Sequence, residues 1–162
     1  MKDIKFRAYI TNGLHKNRLY NVEAIHFKDK FIYVNDNHTR VSIDFNECKL
    51  MQYTGLKDYK GRELYEGDII ETFIEGDGIN RGDIQFDYGV FGIEWADFKD
   101  TKTLVGTWGQ KHNLKRLDSG ILDKLKIEII GNIYQNPELL EKYRIKTLAT
   151  FYIAPNPEKG QK

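Results

Sequence analysis

Stretches in which apolar and polar residues alternate make up the first third of the chain. Residues 4–10 alternate in this way, and Asn12-Gly13 after them is a pair typical of a turn. Similar stretches, separated by polar segments, follow at residues 19–27, 31–34 and 41–45. Because successive side chains of a strand lie on opposite faces, this pattern predicts an N-terminal β meander of antiparallel strands.

Three glycines spaced six residues apart, Gly55, Gly61 and Gly67, separate the short apolar runs that follow. Glycine supplies the positive φ that tight turns require, and such runs are typical of strands. We expect Gly67 to adopt a positive φ and Asp68 to accept backbone hydrogen bonds. The sequence therefore predicts a structural corner between two β regions, formed by Gly55, Gly61, Glu66, Gly67 and Asp68.

The second half of the chain contains further strand patterns and one helix start. Residue types that favour strands recur at residues 48–53, 69–74, 83–88, 91–95 and 127–130. Residues 97–120 are irregular and are interpreted as a long excursion from the sheet. Residues 121–126 fit either a short helix or the lead-in to the last strand. Asn136 as N-cap and Pro137 at the first helical position predict a helix to about Tyr143.

These patterns predict a mainly β fold. Antiparallel strands are expected to form a small SH3-like barrel, packed with the N-terminal β meander and followed by a short C-terminal helix. We assign residues 1–54 to an N-terminal β subdomain, residues 55–143 to a barrel-like β subdomain and residues 144–162 to a tail. The barrel core is expected to contain Ile69, Phe73, Ile84, Phe86, Ile93, Ile129 and Ile133.

Composition places the chain among soluble globular proteins. Hydrophobic residues make up 40% of the 162 residues and charged residues 30%, with three prolines. These values exclude a disordered polymer and a membrane protein. No window contains the roughly 18 apolar residues of a membrane-spanning helix, and the N-terminus lacks the apolar region of a signal peptide. We therefore expect a cytoplasmic protein that does not contact the membrane.

Cysteine and histidine residues show no metal-binding or redox pattern. Cys48 is the only cysteine, so no internal disulfide can form, and its expected role is that of a small packed residue. The four histidines, His15, His26, His38 and His112, show no metal-ligand spacing. No phosphate-binding glycine loop occurs in the sequence. We expect neither a metal nor a cofactor.

Charge is unevenly distributed, although the net charge is only +1. Residues 63–100 contain eleven acidic and two basic residues, whereas residues 101–126 contain six basic and two acidic residues. The second segment combines an aromatic residue with basic ones, at Trp108, Lys111, His112, Lys115 and Arg116. Aromatic stacking with cationic phosphate contacts is the chemistry of single-stranded nucleic-acid binding. The competing interpretation is a solvated loop with Trp108 packed on the core or on another subunit, and the acidic neighbouring segment favours it by repelling polyanions.

The carboxylates of the corner also allow a catalytic interpretation. Many hydrolases use paired carboxylates to divide proton donation from activation of water, and Glu63, Glu66 and Asp68 are close in sequence. No histidine lies near them as a partner. A Glu-Gly-Asp corner before an apolar strand is explained by backbone hydrogen bonding alone. We rank a hydrolase using Glu66 and Asp68 below this structural interpretation.

Several stretches together resemble a known family. They are IKFRA at residues 4–8, LMQYTGLKD at 50–58, Gly61, EGDII at 66–70 and IGNIYQNPELL at 130–140. This combination resembles the YopX-like proteins of phages and prophages of low-GC bacteria, over about residues 1–143. The resemblance implies a β-rich fold and a phage or prophage setting, so that the expected cytoplasm is that of the bacterial host. It implies no assigned biochemical activity. The sequence departs from the family pattern after Tyr143.

Our leading hypothesis is a non-catalytic phage or prophage accessory protein, an oligomeric binding module that acts on a host or phage macromolecule. Self-association is expected because a small barrel cannot bury all of its aromatic residues, and exposed aromatic patches and sheet edges are typical of interfaces. The residues concerned are Tyr33, Tyr53, Tyr59, Tyr65, Tyr88, Trp95, Trp108, Tyr134 and Tyr152. The second hypothesis is single-stranded nucleic-acid binding by the Trp108 to Arg116 loop.

For nucleic acid we predict at most weak and salt-sensitive binding. Lys111, Lys115 and Arg116 can neutralise only a few phosphates, and the acidic segment at residues 63–100 repels the strand. Fluorescence anisotropy with labelled single and double strands measures the affinity. Submicromolar binding at physiological salt that is lost in Lys115→Glu would contradict this prediction.

Overall fold

Eleven strands, arranged in two antiparallel sheets, are present in the computed structural model, which describes residues 3–75, 78–87, 89–96, 114–117 and 119–141. One α-helix of seven residues lies between the last two strands. The prediction of a mainly antiparallel β fold is therefore confirmed. No helix in these described ranges is long and apolar enough to cross a membrane.

The first sheet contains the six N-terminal strands. They are β1 (Phe6–Ile10), β2 (Leu19–His26), β3 (Phe31–Asp36), β4 (Thr39–Asp44), β5 (Cys48–Lys57) and β6 (Glu63–Tyr65), with a 3₁₀ turn at Phe45–Glu47. Their spatial order is β4-β3-β2-β1-β5-β6, so the predicted meander is present as β1 to β4. Asn37 and His38 both have positive φ in the two-residue turn that joins β3 to β4. Cys48 is buried in the core of this sheet, as expected, and burial raises the pKa of its thiol.

The second sheet contains the remaining strands. They are β7 (Asp68–Ile74), β8 (Gly78–Asp87), β9 (Val90–Trp95), β10 (Leu114–Arg116) and β11 (Glu128–Asn132), with α1 (Ser119–Leu125) before β11. The order is β10-β9-β8-β7-β11. Leu122 of α1 belongs to the same buried cluster as Ile70, Ile84 and Ile93 of three neighbouring strands, so the helix lies on one face of this sheet. Residues 138–141 form one helical turn after Pro137, where the C-terminal helix was predicted.

The predicted SH3-like barrel is not confirmed, because the two sheets are not closed. In the second sheet, β10 and β11 lie at opposite edges, and no pairing joins them within the described part of the chain. In the first sheet, β4 and β6 are the edge strands. A barrel requires the first and last strands to pair, which this strand order does not provide.

Two of the seven predicted core residues are exposed. Ile69, Ile84 and Ile93 are fully buried, but Phe73 is 70% exposed and Phe86 47% exposed. Both phenylalanines lie towards the hairpin ends of their strands, where Phe73 pairs with Ile79 and Phe86 with Phe91. The alternating pattern identified strand residues correctly but could not show how far along each strand the covering layer extends. Ile129 and Ile133 are partly buried.

The chain crosses from the first sheet to the second at Glu66 and Gly67. The Glu66 N–H donates to the Gln52 carbonyl in the first sheet at 2.9 Å, and the Gly67 N–H donates to the Ile84 carbonyl in the second at 2.7 Å. Gly67 has φ of +77°, the positive value that the sequence predicted. The division into subdomains at residues 1–54 and 55–143 stays a prediction, and the tail at 144–162 lies outside the described residues.

We predict that Gly67→Val destabilises the protein more than Gly61→Val does. Both glycines have positive φ, +77° and +81°, so each substitution should cost roughly 1–2 kcal/mol of unfolding free energy. At Gly67 an added Cβ also lies 3.3 Å from the Met51 methyl and 3.4 Å from the Tyr134 ring, whereas nothing lies within 4 Å at Gly61. Urea denaturation of the two variants measures the difference in unfolding free energy. An equal or smaller loss of stability in Gly67→Val would contradict the predicted effect of crowding at Gly67.

Candidate functional site

The corner predicted from the sequence is held by a buried ion pair between the two sheets. Asp68, the first residue of β7, has a side chain only 2% exposed. One carboxylate oxygen accepts a hydrogen bond from the Arg7 guanidinium of β1, and the other accepts from the Tyr65 N–H at 2.8 Å. The guanidinium lies 4.1 Å from the centre of the Tyr65 ring. Asp68 therefore connects β1, β6 and β7.

The carboxylates of Glu63 and Asp68 are engaged in structural contacts. Burial raises the pKa of Asp68, although the charge of Arg7 opposes that shift. Glu63 accepts hydrogen bonds from Lys5 Nζ at 2.5 Å and from the Tyr65 hydroxyl at 2.7 Å, and the hydrogen bond from Lys5 lowers its pKa. Burial raises the pKa of Glu66, whose N–H is used in the crossing described above. For Glu63 and Asp68 this arrangement favours the structural interpretation over proton transfer to a substrate.

A second set of contacts ties the β5–β6 turn to the C-terminal strand. The buried Asp58 carboxylate accepts from the N–H groups of Lys60 and Arg62, at 3.0 and 2.8 Å, and from the N–H of Ile129 in β11 at 3.3 Å. Burial disfavours the charge of Asp58, but these bonds and that from the Arg62 side chain outweigh it, so its pKa lies below the ordinary value. Gly61, with φ of +81°, allows the chain to fold around this carboxylate.

Glu128 of β11 contacts the same turn from the outside. Its carboxylate accepts hydrogen bonds from Lys60, from the Tyr59 hydroxyl at 3.1 Å and from Arg62 at 3.3 Å. These contacts hold Tyr59 beside the end of β11. The turn thus has a fixed position relative to the second sheet.

A groove opens where β7 extends beyond its partner β11. The last pair between these strands joins Glu71 to Glu128, and β7 continues to Ile74. The space, here called the β7 groove, has a volume of about 710 Å³. Its walls include three exposed side chains with large apolar surfaces, Tyr59, Phe73 and Ile79.

Charge on the walls of the β7 groove is mixed. Of its acidic residues, Glu71 is paired with Arg81 at 2.8 Å and Glu128 with Lys60, while Glu75 is exposed. The end of α1 contributes Lys124 and, just beyond the helix, Lys126. Within the described residues, no carboxylate forms an ion pair with either lysine. The groove therefore combines apolar surface with two cationic side chains.

The predicted nucleic-acid segment is only partly described. Trp108, Lys111 and His112 lie outside the described residues. The backbone of Lys115 and Arg116 forms part of β10, where they pair with Ile93 and Gly92 of β9. The proposal that this segment contacts nucleic acid or a partner stays a prediction.

Comparison with known proteins decides the family. The family model described as YopX protein matches residues 5–141, most of the chain. The chain belongs to the YopX family. The fold is similar to the crystal structure of protein EF1440 from Enterococcus faecalis, with a TM-score of 0.53 and 25% sequence identity over 86% of this chain and 99% of that one. No curated protein matches the sequence.

Two features of this YopX-family chain were missed by the sequence analysis. Arg7 lies at a polar position of the alternating residues 4–10, and no buried partner was predicted for it. The β7 groove was missed because Phe73 was assigned to the core. No cluster of three or more metal-ligating side chains occurs in the ranges that the structure describes.

We predict that Asp68→Ala lowers the free energy of unfolding by roughly 3–5 kcal/mol, because it leaves the largely buried Arg7 guanidinium without its counter-ion. An Arg7→Met, Asp68→Ala double variant lacks both charges and should lose less than the sum of the single losses. Urea unfolding of the four proteins completes the cycle. Additive losses would show that the two side chains are not coupled across the sheets.

Proposed function

We propose that this YopX-family chain is a non-catalytic accessory protein of a phage or prophage, an oligomeric binding module that recognises a protein of the phage or its host. The observation that carries this proposal is the β7 groove, with exposed Phe73, Ile79 and Tyr59 on its walls. Clustered exposed apolar residues with a polar rim are typical of protein-binding surfaces. The phage setting rests on the family resemblance.

The chemistry of the β7 groove fits a polypeptide better than a nucleic acid. Its exposed phenylalanine and isoleucine favour apolar side chains, and its carboxylates oppose a continuous line of phosphates. Lys124 and Lys126 complement an acidic residue of the partner. We therefore assign to the groove an extended segment of a partner protein that carries apolar residues and at least one Asp or Glu.

Two arguments support the remaining parts of the proposal. A non-catalytic role is supported by the contacts of the corner carboxylates. Glu63 is bound by Lys5, and Asp68 is bound by Arg7 and the Tyr65 N–H. Self-association is supported by the open sheet edges, while the aromatic argument is weaker than the sequence suggested. Tyr53, Tyr65 and Trp95 are buried within the chain and are not available to an interface.

The test compares two phenylalanine variants of the second sheet. Phe73→Asp places a charge in the β7 groove, and Phe86→Asp places the same charge on the opposite face, at another exposed phenylalanine. A partner captured by the wild-type protein from infected cells is purified and its affinity measured by calorimetry. We expect at least a tenfold loss for Phe73→Asp and a near-unchanged affinity for Phe86→Asp, with similar melting temperatures. Equal affinities in all three proteins would exclude the groove as the binding site.

A further inference from the structure

Strand β4 ends the first sheet with backbone groups directed outwards. The two-residue turn fixes the β3–β4 register, in which Asp36 pairs with Thr39 and Val34 with Val41. In this register residues 39, 41 and 43 direct their N–H and C=O groups towards β3. Residues 40, 42 and 44 direct theirs away from the sheet. The bond from Phe45 N–H to the Lys30 carbonyl, at 2.9 Å, continues the same alternation.

The side chains at the outward-directed positions are exposed and carry complementary charges in a symmetric order. Arg40 and Asp44 lie two residues before and two residues after Ser42, and all three are exposed. Arg40 is held on the outer face of the sheet by the Tyr33 ring, 3.9 Å from its guanidinium carbon, while 55% of its side chain stays exposed. Its ion pair with Glu23 is long, at 3.6 Å.

We infer that a second copy of this chain pairs with β4 in antiparallel orientation, about a twofold axis through Ser42. This register places Arg40 opposite Asp44 of the second copy, and Ser42 opposite its own equivalent. The outward backbone groups of each copy then meet as hydrogen-bonded pairs. Val41 lies opposite Ile43 of the second copy, on the core face of the sheet.

Among the registers with the same hydrogen-bonding phase, charge favours the one with its axis through Ser42. An axis through Val41 or Ile43 places Arg40 opposite Ser42 or Asn46 of the second copy, so the pair of opposite charges is lost. An axis through Arg40 places two arginines opposite each other, and an axis through Asp44 places two aspartates opposite each other. Directly opposed like charges destabilise a strand pair, whereas opposite charges stabilise it. Prolines and bulges are features that protect an edge strand from pairing with another chain. Strand β4 contains no proline and no bulge opposite β3, so the second copy covers an edge that is otherwise unprotected.

This inference rests on the self-association part of the proposed function and names its interface. It is independent of the β7 groove, which lies on the second sheet. The two proposals can therefore fail separately.

Single cysteine substitutions test the register. In Ser42→Cys the two introduced thiols lie on paired residues with Cα atoms roughly 5.5 Å apart, within disulfide range. In the control Arg40→Cys, they are offset by four residues, roughly 14 Å, and cannot join. Cys48 is buried and remains unreactive in both variants. We expect oxidation to give a covalent dimer of Ser42→Cys only. Crosslinking of Arg40→Cys alone, or of neither variant, would overturn the register.

A proline substitution tests the interface itself. Ser42→Pro removes an outward N–H that β3 does not use, so the β3–β4 pairing is preserved and a second copy is blocked. Ser42→Thr keeps the N–H and is the control. Light scattering should give a mass below that of wild type for Ser42→Pro and the wild-type mass for Ser42→Thr. An oligomeric wild type whose mass is unchanged in Ser42→Pro would overturn this interface but keep self-association. A wild type that stays at 19.0 kDa at all concentrations would overturn both, leaving the groove untouched.

Discussion

The ion pair between Arg7 and Asp68 links the two sheets through side chains that water hardly reaches. Removing two charges from water is costly, and their attraction offsets that cost only when other hydrogen bonds satisfy the remaining atoms. Asp68 meets this condition through the Tyr65 N–H, while Arg7 Nε has no hydrogen-bond partner within the described residues. The pair therefore contributes specificity of arrangement more than net stability, since few other relative positions of the sheets would bring the charges together.

The crossing at Gly67 depends on the same constraint. The positive φ of Gly67 turns the chain so that Asp68 begins the second sheet within hydrogen-bonding distance of Arg7. Because Gly67 has no side chain, Met51 and Tyr134 can pack against it. Tyr134 in turn stacks on Tyr9 of β1, with ring centres 5.4 Å apart. The aromatic residues that a sequence-based argument assigned to an interface between subunits are thus partly used between the two sheets of one chain.

Local features of the sequence were sufficient to predict most of the strands, the positive φ of Gly67 and the meander, but not the short strands β6 and β10 or the start of β8. Alternation of apolar residues and the positive-φ requirement of Gly67 are properties of a few adjacent residues, so they can be read without a structure. The barrel and the burial of Phe73 could not be predicted in this way. Whether edge strands pair, and whether Phe73 is covered by another layer, depends on segments far apart in the sequence. The partner of Arg7 was hidden for the same reason, because 61 positions separate it from Asp68.

The buried carboxylate of Asp58 has a consequence for the order in which the chain folds. One of its hydrogen bonds comes from Ile129, 71 positions later in the sequence. The β5–β6 turn can form early from its own residues, but the carboxylate that organises it stays incompletely bonded until β11 arrives. During synthesis the Asp58 carboxylate therefore gains this hydrogen bond only after nearly the whole described chain has been made. Closure of that long loop delays the contact between Ile129 and Asp58. Once formed, this contact couples the unfolding of one sheet to that of the other.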